Sequence, residues 1–375
     1  MLPNKINHRV SFFIPNFNIG GIEVSYKQLC NSLVSKVQSI ELVYCEDIGP
    51  IKKDFHKDVA LINLGANRMI PVIWQLKNYF EKNQPEVFIT PMYMLGNAAI
   101  IARFLSKSKP KIIIGARSTF SQVTKSFDRA FDGFALHYLS KFLFKYADRI
   151  ISVSNGVQSD LVEVLELNPD QVTTIYNPVI DDRHNQNHYS PPAHKWFQEL
   201  DRDYKVLIAI GRLSPEKDFA GVIEAFYEIH DSFNIKLIII GEGALKEKLL
   251  NLVTKLGLDE KIEIMNFQKN YLSYLAYADI FILNSKFEGL PGVLIEALAL
   301  NCKVVSSDCN HGPREILNYG EYGILFPVGD KENLKKGIIE SLNLKKTNKF
   351  NSKENIFTIH ESSSRYLMEI NNLLQ

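Results

Sequence analysis

The sequence predicts an α/β protein made of two doubly wound, Rossmann-like domains. Three observations carry that prediction. Short, continuous apolar runs alternate with helix-length segments through the first half. The same rhythm restarts in the second half. Between them, from Pro178 to about Lys205, lies a polar, proline-bearing stretch with no clear period, which reads as a connector. Uninterrupted apolar strands between helices belong to parallel sheets covered on both faces. A chain of 375 residues is long enough for two such domains with their own cores.

In the first half, strands are expected at Val10–Ile14, Ile40–Tyr44, Ala60–Asn63, Val87–Thr90, Lys111–Gly115, Arg149–Val153 and Val172–Tyr176. Helices such as Glu23–Leu33, Ile70–Lys82 and Asn97–Ser106 separate them. In the second half, strands are expected at Val206–Ile210, Leu237–Ile240, Ile262–Met265, Ile280–Leu283 and Lys303–Ser306. Phe219–Ile229, Ala244–Leu256 and Tyr271–Tyr277 are the helices between. Tyr366, Leu367, Ile370, Leu373 and Leu374 form the apolar stripe of a last helix. The expected domains are 1–180 and 181–354, with the helix of 355–375 packing back on the first. Two such sheets facing a cleft bind ligands beyond the carboxyl ends of their strands.

Composition is that of a soluble globular chain, 46% hydrophobic and 23% charged. Cys30, Cys45, Cys302 and Cys309 show no paired spacing and read as reduced thiols of a cytoplasmic protein. No apolar run reaches membrane-spanning length and the start lacks a secretion signal. The net charge of +1 hides an asymmetry. Residues 101–150 hold ten Lys or Arg against three acids, a surplus of seven, so the remainder carries −6. Phe104, Phe120, Phe127, Phe131, Phe134, Tyr138, Phe142, Phe144 and Tyr146 interleave with those bases. A basic, aromatic face suits an anionic membrane surface or a diphosphate-lipid acceptor. The bland alternative is a core of aromatics with a solvated lysine rim.

The densest chemistry lies in Lys286-Phe287-Glu288-Gly289-Leu290-Pro291-Gly292-Val293-Leu294-Ile295-Glu296. It follows the apolar strand Ile280–Leu283 and runs into a helical pattern. Pro291 and Gly292 suit a tight turn into that helix. Glu288 is expected just before the first turn and Glu296 within it. Free N–H groups there suit phosphate, and the carboxylates suit ligand hydroxyls. Acids near a helix start also serve helix electrostatics alone. Gly211-Arg212-Leu213-Ser214-Pro215-Glu216-Lys217 follows another strand and offers two cations to one diphosphate. Gly20-Gly21-Ile22-Glu23 and Gly241-Glu242-Gly243 are strand-end turns where backbone can come close to a ligand. The first lacks the full Gly-x-Gly-x-x-Gly pattern, which argues against a nicotinamide cofactor.

These motifs together resemble family 4 retaining glycosyltransferases of the bacterial capsule, lipopolysaccharide and lipid-linked glycan type. The resemblance covers nearly the whole chain and is densest from Gly211 to Asp330. It implies the GT-B architecture and transfer of a hexose or N-acetylhexosamine from a UDP-sugar to a lipid-linked or lipopolysaccharide acceptor. It implies retention of anomeric configuration without a metal or other cofactor. Carried over residue by residue, Arg212, Lys217 and Glu288 become catalytic. Gly20, Gly21, Gly211, Glu242, Phe267, Gly289, Leu290, Pro291 and Glu296 become donor-binding, with Glu296 on the ribose hydroxyls. Ser285 and the stretch Ser307 to Glu315 also follow the family pattern. Arg117, Ser118 and Asn155 follow strands of the first half and are expected on the acceptor side. Many family members carry a catalytic His near Arg117-Ser118; this chain has none there, so no general base is carried over.

Partners expected are the nucleotide sugar, the glycan acceptor and the inner face of the cytoplasmic membrane, with no nucleic acid. Asp201-Arg202-Asp203 has the spacing of metal-dependent transferases of another fold but sits in the connector. His184 and His188 lack a third ligand for zinc. Rival readings are a nucleotide-sugar 2-epimerase of the same architecture and a non-catalytic nucleotide-sugar-binding protein.

Overall fold

Two all-parallel sheets organise the chain. The computed structural model describes residues 6–18, 20–91, 93–125, 130–184, 188–198, 202–345, 350–351 and 355–375. The chain divides into Met1–Pro178 with Ile356–Gln375, and Val179–Asn355.

In the first unit the order is β1 (Ile6–Ile14), α1 (Gly21–Leu33), β2 (Val37–Tyr44), β3 (Val59–Asn63), α2 (Met69–Asn83), β4 (Val87–Pro91) and α3 (Tyr93–Leu105). Then come β5 (Lys111–Ala116), α4 (Phe120–Lys125), α5 (Ala130–Leu143), β6 (Arg149–Ser152), α6 (Asn155–Leu165) and β7 (Val172–Thr174). The strands lie in the order β3-β2-β1-β4-β5-β6-β7. Strand order reverses between β1 and β4, the switch point of a doubly wound sheet. Phe12, Phe13 and Ile14 on β1 are all fully buried, on both faces of the sheet, because helices cover each side. In α1, Tyr26, Leu29, Cys30 and Leu33 recur at helical spacing and are buried against the strands.

The second unit runs β8 (Lys205–Ile210), α7 (Phe219–Ile229), β9 (Ile235–Ile240), α8 (Lys246–Lys255), β10 (Ile262–Met265), α9 (Tyr271–Tyr277) and β11 (Ile280–Leu283). It continues through α10 (Gly292–Ala299), β12 (Lys303–Ser307), α11 (Pro313–Ile316), β13 (Ile324–Phe326) and α12 (Lys331–Asn343). The order is β10-β9-β8-β11-β12-β13, with its switch point between β8 and β11. Phe219, Val222, Ile223, Phe226 and Ile229 place the apolar stripe of α7 in the core. Asp330 caps α12 by accepting from Asn333 N at 3.0 Å.

The last helix, α13 (Ile359–Leu374), belongs to the first unit. Thr358 caps it, accepting from Glu361 N at 3.2 Å. Tyr366 and Ile370 are fully buried in the core that holds Tyr26 and Leu29. Each such side chain contributes about 1.5–3 kcal/mol through burial. Arg149 Nε lies 2.8 Å from Glu369 Oε2, and Ser362 Oγ donates to Tyr176 O at 2.8 Å.

Two features depart from the sequence reading. β13 is three residues long, too short to show a period. The stretch read as a connector is packed on the second unit from Val179 onward. Ile180, His184, Trp196 and Phe197 are buried, and Ser190 O and Tyr189 O accept from Ser273 and Tyr277 at 2.7 and 2.9 Å. His184 and His194 are buried beside the carboxylates of Asp181 and Glu263, which hydrophobic periodicity does not register. Asp201 of the Asp-x-Asp pair and Phe127 of the aromatic set lie outside the described residues.

Candidate functional site

The second unit gathers its candidate residues at the carboxyl ends of β8 and β11, the two strands that flank the switch point. The loop after β8 carries Gly211, Arg212 and Lys217. The loop after β11 carries Ser285 and Glu288. A backbone bond from Lys286 N to Glu216 O, 2.8 Å, stitches the loops together. The side chains then meet: Lys217 Nζ donates to Glu288 Oε1, and Ser285 Oγ donates to the same oxygen at 2.6 Å. Both side chains are mostly buried, so this pair is not a loose surface contact. The Arg212 guanidinium is exposed, and among the described residues no carboxylate pairs with it. Lys217 thus shares its charge with Glu288 while staying partly exposed, and Arg212 offers its charge outward.

The glycines of this region serve the protein's own backbone. A Cβ at Gly241 would collide with Gly211 O, and one at Gly243, whose φ is +155°, with Leu213 O. Leu213 N donates to Glu242 O at 2.8 Å and Gly211 N to Ile240 O at 3.1 Å. The Gly-Glu-Gly turn is thus the seat of the Arg212 loop, and ligand approach is not needed to explain it. The Glu242 side chain is exposed. Gly211 packs under the Lys217 stem, with contacts of 3.7 Å from its Cβ position.

Gly289, Leu290 and Pro291 form the turn into α10. The loop after β12 packs against that turn. Gly312, with φ +104°, would place a Cβ 2.8 Å from Pro291 and 3.0 Å from Gly289 O. Phe287 and Asn310 form a parallel bridge, and Ser307 Oγ donates to Ser285 O at 2.7 Å. Cys309 is buried beside Glu288, and burial pushes its thiol up to about 12. All four cysteines are buried and unbridged.

Glu296 sits deeper than expected. α10 begins at Gly292 and has no acid in its first turn, so Glu296 occupies the second. The helix starts at Gly292, earlier than a first-turn Glu296 would require, which moves the carboxylate one turn along. Its Oε1 accepts from Tyr271 OH at 2.7 Å and lies 3.7 Å from His184 Nε2. Asp181 Oδ1 lies 3.1 Å from His184 Nδ1, and Arg183 Nε donates to Asp181 at 2.8 Å. Phe267, at the end of β10, stays partly exposed and faces Tyr271 with ring centres 6.0 Å apart. The sequence reading missed Tyr271, Asp181, Arg183 and His184 as neighbours of Glu296. Only the i, i+3 spacing of Asp181 and His184 hinted at a pair.

The first unit places its candidates at the carboxyl ends of β1, β5 and β6. Gly20 and Gly21 open α1. A Cβ at Gly20 would collide with the Glu23 carboxylate, whereas nothing lies within 4 Å of one at Gly21. Arg117 reaches inward rather than toward solvent. It donates to Asn177, to Ser25 Oγ at 3.2 Å and to Tyr366 OH at 3.2 Å, and lies 4.6 Å from the Tyr26 ring centre. These four partners are neutral, and through them the guanidinium ties α13 to α1 and β5. Ser118 O accepts from Tyr93 OH, and Asn155 Nδ2 donates to Tyr176 OH at 3.2 Å.

The aromatic segment splits. Phe120 and Phe144 are buried, but Phe131 is 74% exposed and Phe142 62%, with Phe134, Tyr138, Leu139 and Tyr146 also exposed. His137 is half-buried beside Phe120. Among the described residues no His, Cys, Asp and Glu cluster able to hold a metal occurs, and no helix is long and apolar enough to cross a membrane.

A model described as Glycosyltransferase Family 4 matches residues 19–183, and one described as Glycosyl transferases group 1 matches residues 192–355. The chain belongs to the family 4 glycosyltransferases. This family 4 chain is 30% identical over 240 residues to a Campylobacter jejuni protein named N-acetylgalactosamine-N,N'-diacetylbacillosaminyl-diphospho-undecaprenol 4-alpha-N-acetylgalactosaminyltransferase. The match covers 64% of this chain and 62% of that protein. It is 24% identical over 251 residues to the amylovoran biosynthesis glycosyltransferase AmsD of Erwinia amylovora, covering 67% and 66%. The chain spans about half to two thirds of the length of the curated relatives it matches, 49% to 66% in three of them. The crystal structure of a glycosyltransferase from Rickettsia africae superposes with a TM-score of 0.81 over 99% of both chains at 16% identity, a likeness of GT-B fold.

Proposed function

We propose that this chain is a retaining glycosyltransferase. It moves a hexose or N-acetylhexosamine from a nucleoside-diphosphate sugar, UDP-linked in this reading, to a lipid-linked or lipopolysaccharide glycan. The observation that carries the reading is the Lys217–Glu288 pair at the switch point, beside an Arg212 that no described carboxylate pairs. The name of the Campylobacter relative supports an N-acetylhexosamine and a diphospho-lipid acceptor.

In the proposed reaction the bond from the anomeric carbon to the leaving diphosphate breaks as negative charge builds on that diphosphate. Arg212 and Lys217 neutralise it. Glu288, fixed by Lys217 and Ser285, orients the sugar. The acceptor oxygen bonds to the anomeric carbon on the face the diphosphate leaves, and its proton passes to a diphosphate oxygen. Glu296 takes the ribose hydroxyls. No metal enters this scheme, because the two cations do its charge work. Arg117, Ser118 and Asn155 remain proposed for the acceptor side, Arg117 through the position of its backbone rather than a free guanidinium. The exposed aromatics of α5, in the basic segment 101–150 that also holds Lys107, Lys109 and Lys145, are proposed to rest on the inner face of the cytoplasmic membrane.

The test is release of nucleoside diphosphate from UDP- and GDP-sugars, with and without a lipid-diphosphate glycan. Acceptor-dependent release from one donor, with the product anomer unchanged, supports the reading. Conversion of the donor to an isomer without acceptor would make the chain an epimerase. Binding without turnover would make it a binding protein.

A further inference from the structure

His184 is a buried, ionisable side chain that the proposed reaction does not use. Its imidazole is 1% exposed, beneath α10. Nδ1 is held by Asp181 at 3.1 Å, which Arg183 grips in turn. Nε2 has no hydrogen-bond partner and points at the Glu296 carboxylate 3.7 Å away. A buried polar nitrogen left open toward a carboxylate is costly unless that contact closes in some working state.

We propose that His184 is a positioning residue for Glu296, fixing that carboxylate so that it presents its second oxygen to the vicinal hydroxyls of a nucleoside ribose. The proposal rests on the reading of Glu296 as the ribose residue. Two groups divide the work. Tyr271 takes Oε1 from α9, and His184 faces the same oxygen from the loop before β8. Among the described residues no hydrogen bond or ion pair engages Oε2. The charged and titratable groups around His184 are Asp181 and Arg183 on its own loop, Glu296 on α10, and, one contact further, Tyr271 on α9 and Tyr189. Burial pulls the imidazole toward neutrality, but the Asp181 and Glu296 carboxylates outweigh it and raise its pKa to about 9. Asp181 N also donates to Nδ1 at 3.1 Å, which leaves the ring proton on Nε2, the nitrogen that faces Glu296. A contact from that N–H to the carboxylate is charge-assisted through the acceptor, and protonation of the ring strengthens it.

The experiment is calorimetric binding of UDP, 2′-deoxy-UDP, GDP and 2′-deoxy-GDP to the full chain. The proteins are the native chain and the variants Glu296→Gln, His184→Phe and His184→Gln. Glu296→Gln should lose about tenfold or more in ribonucleotide affinity and most of the ribo-over-deoxy preference, as expected when a charged hydrogen-bond acceptor is removed. His184→Phe should lose about fivefold or more with the same collapse of preference, because a mobile carboxylate binds like a weakened one. His184→Gln keeps a donor and a buried polar shape, so it controls for folding and should fall between. The native preference should weaken above pH 9, and that of His184→Gln should stay flat. If Glu296→Gln loses the preference while both His184 variants keep native affinity and preference, the His184 proposal is overturned and the ribose reading stands. If Glu296→Gln keeps the preference, the ribose reading itself fails and the proposal falls with it.

Discussion

Lys217 and Glu288 are 71 residues apart in sequence, yet the ammonium of one donates directly to the carboxylate of the other. Their contact joins the loops that end β8 and β11, and it places a cation and an acid at the one point where a doubly wound sheet opens to a ligand. Ser285 donates to the same Glu288 oxygen, so the carboxylate cannot swing freely. The two residues are best viewed as one unit.

As a unit they should be non-additive. Lys217→Ala leaves a mostly buried carboxylate without its counter-ion, and Glu288→Ala does the reverse. A double-mutant cycle read by thermal unfolding should show a coupling of about 0.5–3 kcal/mol. Independent effects that simply add would mean the contact carries no weight in the folded chain.

Gly21 and Gly241 should respond in opposite ways to alanine. At Gly241 the new methyl meets the Gly211 carbonyl, and overpacking of this kind costs about 1–3 kcal/mol. At Gly21 the methyl meets nothing, so the melting temperature should hold. Loss of activity in Gly21→Ala with an unchanged melting temperature would then report a ligand against that backbone.

Stability should fall on the alkaline side. His184 holds its proton more tightly folded than unfolded, about 9 against 6.5. The stabilisation is therefore complete below pH 6.5 and fades as pH rises through 9, by up to about 3 kcal/mol. Asp181 has the opposite sign: burial opposes its charge, but His184 and Arg183 hold its carboxyl well below the usual range. Its share is present above the ordinary Asp value and disappears as pH falls. Chemical unfolding at about pH 6, 8 and 10 reads the alkaline loss, and His184→Phe should flatten the profile.

The exposed stripe on α5 should mediate vesicle binding. Phe134→Ser with Phe142→Ser removes two side chains whose burial contributes about 1.5–3 kcal/mol each, a loss of two decades or more in partitioning. Co-sedimentation with anionic vesicles at low salt should drop accordingly, with melting temperature unchanged because both rings are already exposed. Equal sedimentation of variant and native chain would remove the membrane from this face.

The fold was legible because its strands are continuous apolar runs such as Leu237 to Ile240, which no polar face interrupts. Parallel pairing follows from that pattern with little ambiguity. The Arg212, Lys217 and Glu288 loops were legible from their spacing to strand ends. The environment of Glu296 was not. Its partners Tyr271 and His184 come from a helix start and a polar stretch, and only tertiary packing brings them to one carboxylate. The surroundings of Arg117 were hidden for a related reason: a basic residue after a strand reads as a ligand group, and sequence does not show the three neutral side chains and the tyrosine ring that hold it. The Gly241-Glu242-Gly243 turn shows a third limit, since sequence alone does not say whether a glycine makes room for ligand or for another loop.

Steady-state kinetics of Arg212→Ala against the native chain, with the donor and acceptor that support turnover, bear most heavily on the proposed chemistry. Arg212 is exposed and has no carboxylate partner among the described residues, so its removal should leave stability within about 0.5 kcal/mol. A transition-state role requires a fall in kcat of about a hundred- to a thousandfold with donor KM changed only a few fold, because the guanidinium meets its full partner charge only as the diphosphate leaves. Native kcat in Arg212→Ala, or a loss confined to KM, would contradict it.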